Sequence, residues 1–322
     1  MNRLTSTGRR VVRTGLVAGA AVALAGTGLL AGPASAHPGH DRGPHGDDCA
    51  GRVPVGKISI QMFSYFGWTN QVGIEPVLAE LEEIGYRNIE PFAFGPTGWG
   101  GLSGEELRDL ARSHGLKVPS SHGGTDEATF DASLAYAKDV GQRYVGSGGF
   151  ALGGIRAGMT YDEVVAVAQS LDRLGERSVR NGTGKVFGHN HQQEFLTTVV
   201  DPATGETKTA WEVIAEHTDP RYVTFQLDVF WAADAGVDVV DLLERYGRRI
   251  ELLHIKDGFL NGPGVEGASR GTPTDVGEGE LDWEPILAAA KGYVKLYVVE
   301  RDGAPATAEF ARDSFRFLTC SD

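Results

Sequence analysis

Residues 185–195 read KVFGHNHQQEF. An apolar start, Lys185-Val186-Phe187, runs directly into two histidines one residue apart and a glutamate three further on. Successive side chains of a strand point to opposite faces, so His189 and His191 share a face while Glu194 lies beyond the strand. A strand that ends in metal-competent side chains makes sense in an architecture that gathers strand ends into one place. Whether the chain has that architecture depends on how often the pattern recurs.

It recurs from Lys57 onward, as a short β-branched run, a loop and an amphipathic helix, over and over. The strand candidates are Lys57–Phe63, Arg87–Pro91, Lys117–Ser121, Arg143–Gly146, Lys185–Asn190, Tyr222–Asp228, Ile250–Lys256 and Val294–Glu300. Helical periodicity covers Glu75–Ile84, Ser103–His114, Tyr161–Arg180, Val239–Tyr246 and Ala304–Phe317. Ser103 and Glu106 stand at capping-box spacing, and Asp282-Trp283-Glu284 opens a helix with acids where the helix dipole favours them. Eight β–α units in roughly 265 residues fit a single (β/α)8 TIM barrel, an α/β fold, better than a doubly wound open sheet. Nucleotide-binding forms of that rival lose weight, because no Gly-x-Gly-x-x-Gly follows the first strand and no Walker-type loop occurs. Two segments exceed the rhythm, Thr197–Lys208 and Asp257–Leu281. Both follow strands, on the side where barrel loops carry function.

Residues 1–36 read as a twin-arginine export signal. Arg9-Arg10 sits in a positively charged start, a Gly/Ala/Leu/Val run extends from Thr14 to Leu30, and Ala34-Ser35-Ala36 is a small-residue cleavage site. The run has no stop-transfer pattern, so no stable membrane anchor is expected and the mature chain is expected to be secreted. Residues 37–54, rich in His, Gly, Pro and Asp, read as a flexible linker, with His37, His40 and His45 solvated. The barrel is expected over 55–319. Removing Arg3, Arg9, Arg10 and Arg13 takes the formal charge from −13 to −17. Such a surface disfavours nucleic acid, anionic lipid and phosphorylated substrates, and favours neutral small molecules. The two cysteines, Cys49 and Cys320, lie near the ends of the mature chain. They pair in an oxidising compartment or stay as free thiols; a closed barrel brings its first and last elements together.

Side chains at the C-terminal ends of barrel strands converge on one rim. Reading the last four strand ends in order gives His189, Asp228, His254 and Glu300. Each alone has an ordinary reading, as a buried histidine bonded to backbone or a carboxylate capping a helix. Four in phase are harder to explain that way. Leu252 shares a face with His254, and Val298 with Glu300, so each candidate ligand points where an apolar neighbour fills the barrel. Two nitrogens and two oxygens suit one divalent ion, Zn²⁺, Mn²⁺, Co²⁺ or Fe²⁺, better than Ca²⁺, with Mg²⁺ also compatible. Such an ion polarises a carbonyl and stabilises an enediolate as a neighbouring proton is removed. Lys256 shares the His254 face and either stabilises an oxyanion or forms a salt bridge with Asp257 or another rim acid. His191 reaches substrate or orients a ligand, Glu194 supports the site or forms a loop salt bridge, and Asn190 hydrogen-bonds a neighbouring ligand. Phe63, Phe66, Trp68, Phe92, Trp99 and Trp231 cluster at or after strand ends, where they stack on sugar rings or anchor loops.

The stretches NIEPF (88–92), HNHQQEF (189–195), LDVFW (227–231), RIELLHIKDG (249–258), VGEGELDW (276–283) and LYVVERD (296–302) resemble the xylose isomerase-like barrel superfamily. Within it they resemble the sugar phosphate isomerase/epimerase branch, which includes inosose dehydratases and hydroxypyruvate isomerases, over roughly Lys57 to Phe317. The resemblance implies a divalent metal on His189, Asp228, His254 and Glu300, and makes Glu90 and His122 contacts to the substrate or to the ligands. One departure stands out. Epimerases of that superfamily that move a proton across both substrate faces use two metal-bound glutamates, from the fifth and eighth strands, whereas the fifth here offers His189. Glu300 remains as a base. Its opposite number is then His191 or Glu194, or the reaction needs only one base, as isomerisation and β-elimination of water or an alcohol do. Metal-dependent DNA-repair endonucleases share the fold, but the charge of the mature chain and the lack of a basic stripe disfavour that activity.

The expectation is a secreted, metal-dependent isomerase or epimerase of an unphosphorylated sugar or polyol, acting through an enediolate. Glu300, Lys256 and His191 carry the chemistry, while Glu90, His122, Trp231 and Glu194 contact substrate. A lyase acting on a keto-sugar or keto-glycoside is the alternative, and a non-catalytic carbohydrate-binding barrel a second. The only partner implied is the sugar; a homo-oligomer is compatible with the sequence.

Overall fold

The computed structural model describes residues 53–92, 98–261 and 271–321. Residues 1–36, read as an export signal, most of the stretch read as a linker, and Cys49 lie outside the described residues. Cys320 is disulfide-bonded. Val53, at the end of the stretch read as linker, is buried, and its N–H donates to Leu318 O (2.9 Å).

In chain order the strands are β1 (Ile58–Ile60), β2 (Tyr144–Gly146), β3 (Lys185–His189), β4 (Thr198–Val200), β5 (Thr207–Thr209), β6 (Val223–Asp228), β7 (Ile250–Ile255), β8 (Asp257–Phe259), β9 (Thr272–Thr274) and β10 (Leu296–Val299). The helices are α1 (Phe66–Val72), α2 (Ile74–Ile84), α3 (Gly104–Ser113), α4 (Phe130–Val140), α5 (Tyr161–Asn181), α6 (Gln193–Leu196), α7 (Ala210–Glu216), α8 (Val229–Asp234), α9 (Val239–Tyr246), α10 (Trp283–Ala290) and α11 (Glu309–Thr319).

Six strands form one parallel sheet in the order β1-β10-β7-β6-β3-β2. Between β2 and β1 run two extended stretches, 87–92 and 117–122, which pair through isolated parallel bridges rather than ladders. These join Gln61 to Glu90, Asn88 to Lys117, Phe92 to His122, and His122 to Gly146. Eight staves thus close into a barrel, at the eight places where β-branched runs stand in the sequence. The two thin staves hold Pro91 and Pro119, which have no N–H to give a ladder, and so they fall short of regular strands.

The helices form where the apolar period is helical. Capping boxes start three of them, Ser103 with Glu106 at α3, Thr160 with Glu163 at α5, and Thr209 with Glu212 at α7. The last helix begins later than its periodicity suggests: Gly303 adopts φ +67° and Pro305 follows, and α11 opens only at Glu309. The two long segments are not plain loops. Thr198–Val200 and Thr207–Thr209 pair as a hairpin, and Asp257–Phe259 pairs with Thr272–Thr274.

Most of the core lies between staves and helices. A smaller cluster of Phe187, Leu252, Leu296 and Val298 fills the barrel itself. Gly146 makes room for it, since a Cβ there would stand 2.5 Å from the Phe187 ring. This apolar plug closes the barrel, and one strand step beyond it toward the C-terminal ends the inward side chains turn polar. Among the described residues no helix is long and apolar enough to cross a membrane.

Candidate active site

His254, two residues beyond Leu252 on β7, is fully buried and faces acids on both sides. Its Nδ1 lies 3.0 Å from Glu300 Oε2 and 3.8 Å from Asp228 Oδ2, and its Nε2 lies 3.1 Å from Glu90 Oε1. Burial alone would lower its pKa, but Glu300, Asp228 and Glu90 raise it well above the ordinary histidine range. Glu300 shows the reverse. Burial pushes it up, while Lys256 and His254 hold it well below the usual carboxylate range.

Lys256, 1% exposed, reaches Glu300 Oε2 at 2.7 Å, Asp302 Oδ2 at 3.1 Å and Asp228 Oδ2 at 3.4 Å. Despite burial, these acids raise its pKa. Its Nζ stands 5.2 Å from the centre of the Trp231 ring, within cation–π range. Asp257 takes no part in this pairing. It is buried and accepts from the N–H of Gly258, Gly277 and Leu281 and from Trp283 Nε1, holding together the segment that follows β7.

Asp228 ends β6 and also caps α8, its Oδ1 accepting from the Trp231 N–H (3.0 Å). Asn190 clamps its backbone: Nδ2 donates to Asp228 O (3.1 Å) and Oδ1 accepts from Asp228 N (3.0 Å). The carboxylate is thereby fixed with Oδ2 turned toward His254 and Glu300, and this fully buried oxygen has no hydrogen bond. A buried charge is normally paired and hydrogen-bonded. The donor atoms of Asp228, His254 and Glu300 lie within 4.8 Å of one another, so the group fits a divalent cation.

A second group of potential donors, also within 4.8 Å, comprises His122, His189 and His254. The four strand-end residues therefore divide around His254, with Asp228 and Glu300 on one side and His189 beside His122 on the other. Gln226 organises the imidazoles. Its Oε1 lies 2.7 Å from His122 Nε2 and 3.1 Å from His189 Nδ1, while its Nε2 donates to both oxygens of Glu90 (3.0 and 2.8 Å). An amide oxygen only accepts, so the proton sits on Nδ1 of His189 and on Nε2 of His122, leaving His189 Nε2 with its lone pair. Burial lowers the pKa of both rings, that of His189 strongly.

Glu90 is fully buried and also accepts from Gln61 Nε2 (2.8 Å) and Ser120 Oγ (2.5 Å). Burial would raise its pKa, but His122 and His254 lower it on balance. His191 lies farther out, its ring 5.0 Å from His189 and 6.3 Å from Trp231. Glu194 accepts from the His191 N–H (2.8 Å) and belongs to neither donor group, and burial raises its pKa. Gln61, Ser120, Gln226 and Asp302 were not singled out in the sequence. For Gln61 and Gln226 the signal was a polar residue in an apolar run, as in ISIQ and TFQLD; Ser120 and Asp302 stand in polar stretches and carried none.

Over residues 78–319 the chain matches the family described as a xylose isomerase-like TIM barrel. It is similar to an inosose dehydratase of Mesomycoplasma hyopneumoniae, 28% identical over an alignment of 174 residues, with 49% of this chain and 55% of the relative covered. It is similar also to an inosose dehydratase of Lacticaseibacillus casei, 29% identical over 173 residues, with 49% and 55% covered. The chain thus spans about half the length of the curated relatives it matches. In fold it is similar to a sugar phosphate isomerase/epimerase from Parabacteroides distasonis, with a TM-score of 0.67 and 22% identity, covering 83% of this chain and 94% of that one. The match runs through seven of the eight staves and includes Glu90, His122, His189, Asp228, His254 and Glu300, and the chain belongs to the xylose isomerase-like TIM barrel family.

Proposed function

We propose that the protein is a divalent-metal-dependent enzyme that removes a proton beside a carbonyl of an unphosphorylated sugar or polyol, with loss of water or an alcohol completing the reaction. Asp228 Oδ2, buried beside His254, Glu300 and Lys256 with ion-pair contacts but no hydrogen bond, carries this reading. Asp228, His254 and Glu300 would hold the ion, while His189, grouped with His122 on the other side of His254, would face the substrate. When bound, the ion polarises the carbonyl and makes the neighbouring C–H more acidic. Glu300 would take the proton, its carboxylate held by Lys256 at 2.7 Å. Lys256, a buried cation beside it, stabilises negative charge developing on the substrate. Glu90 and His122 line the opposite wall and contact hydroxyls, and His191 and Trp231 bound the outer side.

Elimination is favoured over epimerisation by the asymmetry of the site. An exchange of protons across two faces needs a second base opposite Glu300. The carboxylate on that wall, Glu90, already has both oxygens engaged. The curated relatives named inosose dehydratases support the same choice. Isomerisation or epimerisation is the second reading, since a one-base isomerisation would use the same residues.

Metal content of the purified protein, with incubation of inososes and keto-sugars in D₂O, tests both readings. Elimination yields a product lighter by water or an alcohol; deuterium uptake without mass loss would shift the assignment to isomerisation or epimerisation. Glu300→Gln should lower the rate by roughly 10²–10⁴-fold. If it left every sugar-dependent property unchanged, a non-catalytic carbohydrate-binding barrel would be the better description. Export belongs to the same proposal, supported by Arg9-Arg10: lysine at both positions should leave the protein in the cytoplasm.

A further inference from the structure

Phe63 and Phe66 are 40% and 47% exposed, although folding normally hides this side chain. Their rings are nearly parallel, 19° apart with centroids at 6.4 Å. Phe92 meets both edge-on, at 5.3 and 5.8 Å. The three rings are tied to the polar cluster. The Phe63 N–H donates to Gln61 Oε1 (3.1 Å), and Gln61 Nε2 donates to Glu90 Oε1. Phe92 lies two residues after Glu90 on the same stave and is bridged to His122. Alternation puts Glu90 and Phe92 on the same side of that stave, and two residues of extended chain span about 7 Å. An apolar face thus begins roughly one sugar ring beyond Glu90 and continues to solvent. Neither cation binding nor proton removal uses it.

We propose that Phe63, Phe66 and Phe92 form a subsite for a flat apolar substituent on the sugar, so that the preferred substrates are aryl glycosides or other aryl-bearing sugar derivatives. This rests on the sugar reading of the neighbouring site. Aromatic faces favour an aromatic ring through offset or edge-on stacking. Two partly exposed rings backed by the buried Phe92 fall far short of the roughly 800 Å² per partner that a stable protein interface buries, so a small ligand fits better than a second chain.

Calorimetric titration of the purified, Mn²⁺-supplemented full chain with 4-nitrophenyl β-D-glucoside, methyl β-D-glucoside and 4-nitrophenol tests the assignment. The aryl glycoside should bind at least about tenfold more tightly than the methyl glycoside. Phe63→Ala combined with Phe66→Ala should bring that ratio near one, with Mn²⁺ affinity and thermal midpoint unchanged, and Phe63→Tyr should keep it. Equal affinity for both glycosides, or a ratio that survives the double substitution, would overturn the subsite and leave the sugar reading intact. Binding of 4-nitrophenol with no gain from the attached sugar would keep the aromatic platform and overturn the sugar reading. No binding of any of the three would overturn both.

Discussion

At the level of single side chains, the aim of Asp228 is set by Asn190 and by the first turn of α8, neither of which is a cation donor. Losing the clamp frees the end of β6. Asn190→Ala should therefore weaken Mn²⁺ or Zn²⁺ binding by roughly 10–100-fold, the usual effect of removing a residue that orients a ligand, with little change in secondary structure. Titration calorimetry reads this directly, and an unchanged affinity would mean that Asp228 needs no clamp. Glu300 makes a different prediction. Its pKa lies well below the ordinary carboxylate range because Lys256 and His254 override the effect of burial. A depressed acid adds stability that is fully present above its unfolded value of about 4.3 and disappears as pH falls through the folded value. In metal-stripped protein, the urea midpoint of the wild type should exceed that of Glu300→Gln near neutral pH. The difference should shrink once the pH drops below about 4. A difference that held constant in acid would show that the carboxylate is not ionised in the fold.

Among the elements, α5 depends on close approach. Its Gly175 sits where an added Cβ would be 2.6 Å from Tyr222 O, at the entrance to β6. In an exposed helix, Gly→Ala gains up to about 1 kcal/mol. Here the added methyl must push helix from sheet, and overpacking of this kind costs about 1–3 kcal/mol. Gly175→Ala should lower the thermal midpoint, and a rise would mean that α5 can move away at little cost. The staves themselves were legible in advance, because β-branched runs bounded by turn residues recur eight times. So were the strand-end residues, because a period of two fixes which side chains share the face of the plug. The network of Gln61, Ser120 and Gln226 was not. A glutamine in a strand has no sign that it is inward until the barrel closes and sets it against Glu90. The pairing of Lys256 was left between Asp257 and other rim acids, and the fold decides it, since Asp257 is turned away to hold four donors of the segment after β7.

For the molecule as a whole, the ring of staves is uneven. Asp228, His254 and His189 sit on strands joined by multi-residue ladders, with one register shift between β6 and β7 at Phe225–Gln226, and Glu300 follows directly on β10. Glu90 and His122 ride on stretches joined to their neighbours by isolated bridges and scattered backbone hydrogen bonds rather than by ladders. Backbone with fewer protected amides opens more readily. Deuterium exchange should label 87–92 and 117–122 well before β6 and β7, and equal protection around the ring would contradict this. Under the proposed function the barrel would work like a vice with one firm jaw and one that gives: the seat of the proposed cation would keep its shape, while the opposite wall would shift to accommodate sugars of differing outline.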